Sequence, residues 1–264
     1  MIIFIYFFDI NFFKNPFEEY EYDFDKCFID ADSMLYRIAY TVSSDAQAQS
    51  TFDLALKAVM RDTNSIKGYV AVKGKGNFRY DIVDDYKATR SKQDMDPKVK
   101  ERLDSLYQYC WDTGCVASDG CEADDVVSIW ATEAEAEGSS FVIAHVDKDI
   151  DMVPGWHYNF NKNKLYLTDE DAGHYLLCKQ LLTGDASDNI QGLKGVGPKT
   201  AEKILKGVEP DKMLDAVRST WREKHPRDWK EKLEVCFNLI YMRRSFDDLR
   251  HMTIEEVYGE GNLR

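Results

Sequence analysis

Three short apolar runs mark the first half of the chain: Lys26–Asp30 (KCFID), Gly68–Val72 (GYVAV) and Phe141–Val146 (FVIAHV). Each is too short for a stable helix and too continuous for a one-faced strand. That is the pattern of strands buried on both faces of a sheet. Between the runs, apolar residues recur at helical spacing. They predict helices over Ser33–Tyr40, Thr51–Thr63, Pro97–Trp111 and Glu122–Glu135, the third with proline in its first turn. Lys73–Arg79 reads as a glycine-rich turn. Strands separated by helices predict an α/β fold with a mostly parallel sheet. From Asp169 onward the pattern is helical, broken by Gly192, Gly195 and Gly197. The expected organisation is an extension over 1–25, an α/β core over 26–168, and a helical region over 169–264.

Composition sharpens this picture. The chain has 264 residues, 44% of them hydrophobic and 13% aromatic, enough for a real core and too apolar for a disordered chain. The six cysteines form no CxxC pair, which fits a reducing cytoplasm rather than a disulfide scaffold. Cys110, Cys115 and Cys121 cluster, but their spacing matches no common zinc pattern. The extension opens with an apolar stretch, Met1–Phe8, far short of a membrane span and without the features of a signal peptide. Six acids and one lysine follow up to Asp25. This segment reads as a dispensable extension, or as an acidic arm that docks a partner.

The net charge of −13 argues against nucleic-acid binding unless the acids are used for something else. Their positions suggest what that is. Asp30 ends the first apolar run, and Asp147 and Asp149 follow the third. Glu122, Asp124 and Asp125 open a helix, and Asp185 and Asp188 lie in TGDASDNIQG. In an open α/β sheet, ligands gather beyond the carboxyl ends of the strands. So many carboxylates share one pocket only if cations neutralise them, and hard oxygen donors suit Mg²⁺ or Mn²⁺. Each cluster also has a plain reading: helix-capping acids at 122–125, turn residues at 185 and 188. Asp147, Asp149 and Asp151 mimic a calcium loop, but Met152 and Tyr158 stand where that loop needs Gly and Glu.

Two basic stretches offset the acidity locally. Lys87–Arg102 holds six basic residues against three acids, and Gly192–Lys206 holds four lysines against Glu202. The second reads GLKGVGPKTAEKILK. Pro198 separates Gly197 from Lys199, so this is not a nucleotide P-loop. It reads instead as a helix–hairpin–helix turn, in which glycines and a helix N-terminus receive a phosphate backbone. Phosphate contacts carry no base information, so binding would follow structure rather than sequence.

FIDADSMLYR, DDYKATR, CEADDVV, HVDKDI and LLTGDASDNIQGLKGVGPKTAEKIL occur in that order. Together they resemble the flap-endonuclease superfamily, specifically the bacteriophage-type 5′-to-3′ exonucleases and the nuclease domain of bacterial family A DNA polymerases. The resemblance covers about 26–205. It implies a Rossmann-like (PIN-like) three-layer α/β/α core, a helical arch over about 87–111, and a helix–hairpin–helix at about 184–206. It implies two or more Mg²⁺ ions, with Mn²⁺ as a substitute, on Asp30, Glu122, Asp124, Asp125, Asp147, Asp149, Asp185 and Asp188. Lys87 and Arg90 would contact the scissile phosphate. Tyr86 would stack on a base, or sit in the core. Gly192, Lys194, Gly195, Gly197, Lys199 and Thr200 would bind duplex backbone, with K⁺ at the hairpin. The implied activity is hydrolysis of DNA carrying 5′ single-stranded flaps or 5′ ends, with RNA primers as further substrates. The implied setting is a monomer in the cytoplasm, away from membranes.

One departure stands out. The strand equivalent to GYVAV ends in an acid in the family, whereas here the chain reads VAVKGKG, with Lys73 in that place. An ammonium group there opposes a metal directly. This keeps open a binding-only member that recognises DNA junctions; separately, an RNase-H-like exoribonuclease for primer removal would share the site but prefer RNA–DNA hybrids. Asp32 stands where the family has a polar non-ligand and is not counted among the expected ligands.

Overall fold

The computed structural model describes residues 22–88 and 95–259. The acidic extension up to residue 21, and Arg90, lie outside the described residues. The chain runs β1 (Phe24–Asp30), α1 (Asp32–Thr41), α2 (Asp45–Asp62), β2 (Ser65–Lys73), α3 (Arg79–Ile82), α4 (Pro97–Asp112), β3 (Val116–Ser118), α5 (Ala123–Ala136), β4 (Phe141–His145), β5 (Gly155–Asn159) and β6 (Lys164–Thr168). The helical half follows: α6 (Glu170–Thr183), a small hairpin of β7 (Gly184–Asp185) and β8 (Ile190–Gln191), then α7 (Pro198–Leu205), α8 (Pro210–Lys224), α9 (Trp229–Ile240) and α10 (Ile254–Tyr258).

The main sheet has the order β3-β2-β1-β4-β5-β6. Every neighbouring pair is parallel except β5 with β6. The expected α/β fold with a mostly parallel sheet is therefore what forms. The chain steps outward from β1 to β3 and then crosses back to β4. That reversal leaves a crevice beyond the carboxyl ends of β1 and β4. Asp30 is the last residue of β1, and Asp147 lies two residues past the end of β4.

Successive side chains of a strand face opposite layers, and β1 shows it. Ile29 joins Val70, Val72 and Val142 against α1, α2 and α4, through Leu35, Phe52, Leu56 and Leu106. Phe28 joins Ala71 and Ile143 against α5, through Val126, Val127 and Trp130. This second cluster continues without a break into the helical half, through Leu181, Val217, Trp221 and Phe237. Each such buried side chain contributes roughly 1.5–3 kcal/mol. The helical half is thus built onto the sheet, which fixes the loop 184–191 relative to the strand ends.

Several elements differ from the sequence expectation. β3 is three residues long, too short to show a period. The β5–β6 hairpin closes the sheet edge, where Leu167 is 60% exposed, so its residues lack the continuous apolar pattern of a central strand. The turn expected over Lys73–Arg79 is shorter: Lys73 still belongs to β2, and Arg79 already starts α3. All six cysteines are buried and unbridged. Among the described residues, no helix is long and apolar enough to cross a membrane.

Candidate functional site

The acids meet at the crevice. Asp30 is buried, and its pKa is pushed up to about 8, by burial first and then by Asp32, Asp147 and Glu122. Asp124 is half-buried beside Glu122, and its carboxyl is raised well above the usual range by desolvation, Glu122 and Asp125. Asp149 is pushed up to about 7, by burial and then by Asp147. Like charges crowded out of water cannot all ionise. Glu122, Asp124, Asp149, Asp185 and Asp188 line one small cleft together with Gln180 and Tyr86. All the donors are carboxylates, a set that fits hard divalent cations such as Mg²⁺ or Mn²⁺.

Local structure explains how each acid is held. Asp147 caps the 3₁₀ turn Lys148–Met152, its Oδ1 accepting from the Asp149 amide at 2.9 Å. Gln180, on α6, donates to Asp149 at 2.7 Å. Asp185 ends β7 and accepts from both the amide and the hydroxyl of Ser187, at 2.7 and 2.5 Å. Burial raises the Asp185 carboxyl, but the Ser187 hydrogen bonds, with Asp149 and the Lys148 charge, together hold the pKa below the usual value. Glu122 caps α5 in a reciprocal box with Asp125. The capping and ligand readings of 122–125 are therefore compatible for Glu122, whose carboxylate still faces the cleft.

Asp125 is placed differently from the other acids. It is fully buried, and Arg79 grips both its oxygens at 2.5 and 2.9 Å. The amides of Arg243 and Glu122 add to this, at 3.1 and 3.2 Å. Burial alone would raise its pKa, but Arg79 holds it below the usual carboxylate range. The expectation that Asp125 ligates a metal meets a carboxylate whose oxygens are already committed.

Lys87 stands at the mouth of the cleft. Its ammonium pairs with Glu122 and lies 3.6 Å from Asp188. Its backbone is left-handed, with φ of 58°, and its amide donates to the Asp188 carbonyl at 2.8 Å. Asn189, also left-handed, donates to the Asp85 carbonyl at 2.9 Å. The segment carrying Lys87 is thus stitched to the 185–189 loop. A bulky residue in this region of backbone space is uncommon and costs energy that the surroundings must supply.

Two residues expected at the nucleic acid have structural roles. Tyr86 is 4% exposed, its hydroxyl donates to Glu122 at 2.9 Å, and Tyr80 packs against its ring. Its ring is therefore a core element, with no open face for a base. Gly192 sits so close to the backbone of Thr183 and Gly184 that a Cβ would collide with both. Chain packing by itself therefore requires glycine there. Gly195, with φ of +82°, and Gly197 have open space beside them. Lys194, Gly195, Gly197, Lys199 and Thr200 are all exposed. Gly197 is the N-cap of α7, with Pro198 in the first turn, and its carbonyl accepts the amides of Thr200 and Ala201 at 2.9 and 3.0 Å.

Sequence reasoning missed two residues of the site. Arg79 carried no motif, yet it locks Asp125 and, through its Nε, the Leu239 carbonyl of α9 at 3.0 Å. Asp32 accepts from the Lys73 amide at 2.8 Å and the Tyr107 hydroxyl at 3.1 Å, and its own amide reaches Asp30. Burial raises the Asp32 carboxyl, against the pull of the Lys73 amide, the Tyr107 hydroxyl and the Lys73 charge. The signal was present at Asp32, as an extra acid two positions from Asp30.

The sequence model of the 5′–3′ exonuclease N-terminal, resolvase-like domain matches residues 26–164. The chain is 34% identical over 186 residues to DNA polymerase I of Rhizobium leguminosarum, covering 67% of this chain and 18% of that protein. It is 27% identical over 204 residues to flap endonuclease Xni of Photorhabdus laumondii, covering 71% of this chain and 75% of that one. The chain spans 18% and 30% of the length of two DNA polymerase I relatives. Among solved structures, it superposes on the bacteriophage T5 5′-exonuclease with divalent metal ions (zinc) bound. That match has a TM-score of 0.61 at 17% identity and covers 81% of this chain and 85% of the other. A complex of the T5 flap endonuclease with DNA and metal ions gives 0.56 at 16% identity, over 80% and 98% of the two chains. At those identities the likeness establishes the fold, the Rossmann-like (PIN-like) three-layer nuclease core. The match over 26–164, more than half of the chain, places it in the family of the 5′–3′ exonuclease N-terminal, resolvase-like domain.

Proposed function

We propose that the chain is a divalent-metal-dependent, structure-specific 5′ nuclease that hydrolyses DNA at 5′ flaps and 5′ ends. The observation that carries this is the convergence of Asp30, Glu122, Asp124, Asp147, Asp149, Asp185 and Asp188 at the strand ends, beside a lysine in a strained backbone. Asp30, Glu122, Asp124 and Asp147 would hold one ion, and Asp149, Asp185 and Asp188 a second. Such ions supply Lewis-acid stabilisation and water activation for phosphodiester hydrolysis. Mg²⁺ is the expected ion, with Mn²⁺ as a substitute. Asp125 serves this set by position, because its grip on Arg79 fixes the first turn of α5 and so the direction of Glu122. Lys87 pairs with Glu122 and lies near Asp188. With cations on those acids, its ammonium would be free to contact the scissile phosphate and would stabilise the charge that develops there. Arg90 would act beside it. Lys194, Gly195, Gly197, Lys199 and Thr200 would receive duplex backbone at the N-terminus of α7, with K⁺ at the same turn. The working form would be a cytoplasmic monomer. The folding units would be an α/β core over 26–168 and a helical DNA-binding region over 169–264, with the arch rising from 87–111.

Lys73 favours a second reading, a member that binds DNA junctions without cutting them. Its position beside Asp32 weakens that reading. The Lys73 charge acts on Asp32, an acid that this chain adds, so the count of acids at the strand ends is kept. Cleavage of a 5′-labelled flap duplex in Mg²⁺ separates the two. The nuclease reading expects cutting that EDTA and Asp147→Ala abolish. No cutting by the native chain, restored by Lys73→Asp, would assign the binding-only role. No cutting and no flap binding by either would refute both. An RNA–DNA hybrid as a parallel substrate tests primer removal.

A further inference from the structure

Beyond the carboxylate cleft, His145 on β4 and His157 on β5 are both fully buried and face each other, with Nε2 of the first 2.8 Å from Nδ1 of the second. The other ring nitrogen of each is committed. Nδ1 of His145 lies 2.6 Å from the Asp147 carbonyl, and Nε2 of His157 lies 2.8 Å from the Val153 carbonyl. A carbonyl only accepts, so both outer nitrogens carry their protons. In neutral rings the two inner nitrogens then present lone pairs to each other. Something positive must lie between them.

A shared proton or a metal cation would serve, and the position of Asp151 favours the cation. Its Oδ1 lies 3.7 Å from the inner nitrogen of His145 and 3.8 Å from that of His157. These distances are too long for hydrogen bonds. The three edges of 2.8, 3.7 and 3.8 Å instead bracket the edge of about 3.3 Å that a tetrahedron with metal–ligand bonds of ~2.0–2.1 Å requires. The orienting contacts of a metal site are also present. Each histidine donates its outer N–H to a carbonyl, and the Tyr166 hydroxyl donates to Asp151 at 2.6 Å. The Tyr166 ring stacks on His157 at 5.4 Å. Asp151 is partly exposed, so an ion can enter from its side.

We infer that His145, Asp151 and His157 form a second metal site, selective for a borderline ion of the Zn²⁺ or Co²⁺ type and separate from the carboxylate cleft. Two imidazoles and one carboxylate suit such an ion and disfavour Mg²⁺. Its place suggests its task. The Asp147 carbonyl holds His145, and Asp147 caps the 3₁₀ turn that contains Asp151. An ion here pins the turn that delivers Asp147 and Asp149 to the cleft, and cross-links β4 to β5. The site does not depend on the nuclease reading.

The test is Co²⁺ and Zn²⁺ binding to the metal-free protein in a large excess of Mg²⁺, which blocks the carboxylates. The native chain should hold one equivalent and show the intense visible absorption of tetrahedral Co²⁺. Tyr166→Phe keeps every ligand and the ring stack, and should weaken binding by about 10–100-fold. Asp151→Asn, at a partly exposed position, and His157→Phe should remove the spectrum. Asp149→Asn, in the cleft, should leave it intact. Zn²⁺ should raise the melting temperature of the native chain but not of Asp151→Asn. Full displacement of Co²⁺ by Mg²⁺, or loss of the spectrum in Asp149→Asn but not in Asp151→Asn, would overturn the proposal. So would imidazole nitrogen resonances that show a single proton shared between the rings and do not change with Zn²⁺.

Discussion

Arg79→Met should destabilise the protein by about 3–5 kcal/mol, the usual cost of removing one partner of a buried ion pair. Methionine fills much the same space, so cavity formation adds little. Arg79 gives Asp125 two short hydrogen bonds and ties α3 to the Leu239 carbonyl. Without it, a fully buried carboxylate keeps only the amides of Glu122 and Arg243. At about 1.4 kcal/mol per decade, the loss is two to three and a half decades in the folding constant. Its pH dependence follows from the sign of the shift. In the native chain the folded pKa of Asp125 is depressed, so its contribution is present above the unfolded carboxylate pKa and is lost as pH falls through the folded value. In Arg79→Met, burial dominates and the folded pKa rises above the unfolded one. That contribution reverses, and the variant loses stability as pH rises from about 4 towards neutrality. Urea titrations followed by tryptophan fluorescence, in EDTA across that range, measure the difference. Adding Asp125→Leu to Arg79→Met should recover most of the loss, because it removes the stranded charge. A loss below about 1 kcal/mol, a loss independent of pH, or strict additivity in the double variant would refute the reasoning.

The acids of the cleft should behave in the opposite way. Asp30→Asn should stabilise the metal-free protein at pH 7. The folded pKa of about 8 against an ordinary 3.8 corresponds to about 4 kcal/mol there, at ~1.36 kcal/mol per pH unit. Because that pKa is raised, the gain should shrink towards zero near pH 4, and millimolar Mg²⁺ should stabilise the native chain more than the variant. Thermal melts with and without Mg²⁺ give both comparisons, and a destabilised metal-free Asp30→Asn would contradict them. Lys87→Met should lower flap cleavage by about 10²–10³-fold, the range for removing one group that stabilises developing charge. Flap affinity should change only a few-fold, and an equal loss of binding and turnover would assign Lys87 to binding alone.

What the sequence revealed and what it hid follow from how far apart the partners lie. Asp30, Glu122, Asp147 and Asp185 were legible because each sits at the end of an element that its own neighbours define. The rule that ligands collect at strand ends then brings them together. Arg79 was not legible. Its partner lies on another helix 46 residues away, and only the packing of α9 over α3 drives both into the core. The same packing decides Tyr86, whose sequence context allowed either a base-stacking or a core role. His145 and His157 were hidden for a related reason. β5 has no continuous apolar run, so its parallel register with β4, which sets His157 opposite Ile143 and diagonal to His145, could not be foreseen.

Lys73 shows how a local departure is absorbed by tertiary structure. By the resemblance to the flap endonucleases it stands where an acid is expected at a strand end, and a base there would repel a metal. In the fold, Asp32 opens α1 immediately after Asp30 and reaches across to the end of β2, where it accepts the Lys73 amide. The Asp32 carboxylate therefore lies within the influence of the Lys73 charge, and Asp30 remains influenced by Asp32, Asp147 and Glu122. A charge exchange between adjacent strand ends leaves the number of carboxylates unchanged and shifts one of them by a strand. If that exchange sustains the site, Asp32→Asn should impair Mg²⁺ binding more in the native chain than in Lys73→Asp, where an acid already stands on β2. Calorimetric titration of the four combinations measures the coupling. Equal losses in both backgrounds would mean that Asp32 only anchors β2, and that Lys73 is tolerated for a reason unrelated to its neighbour.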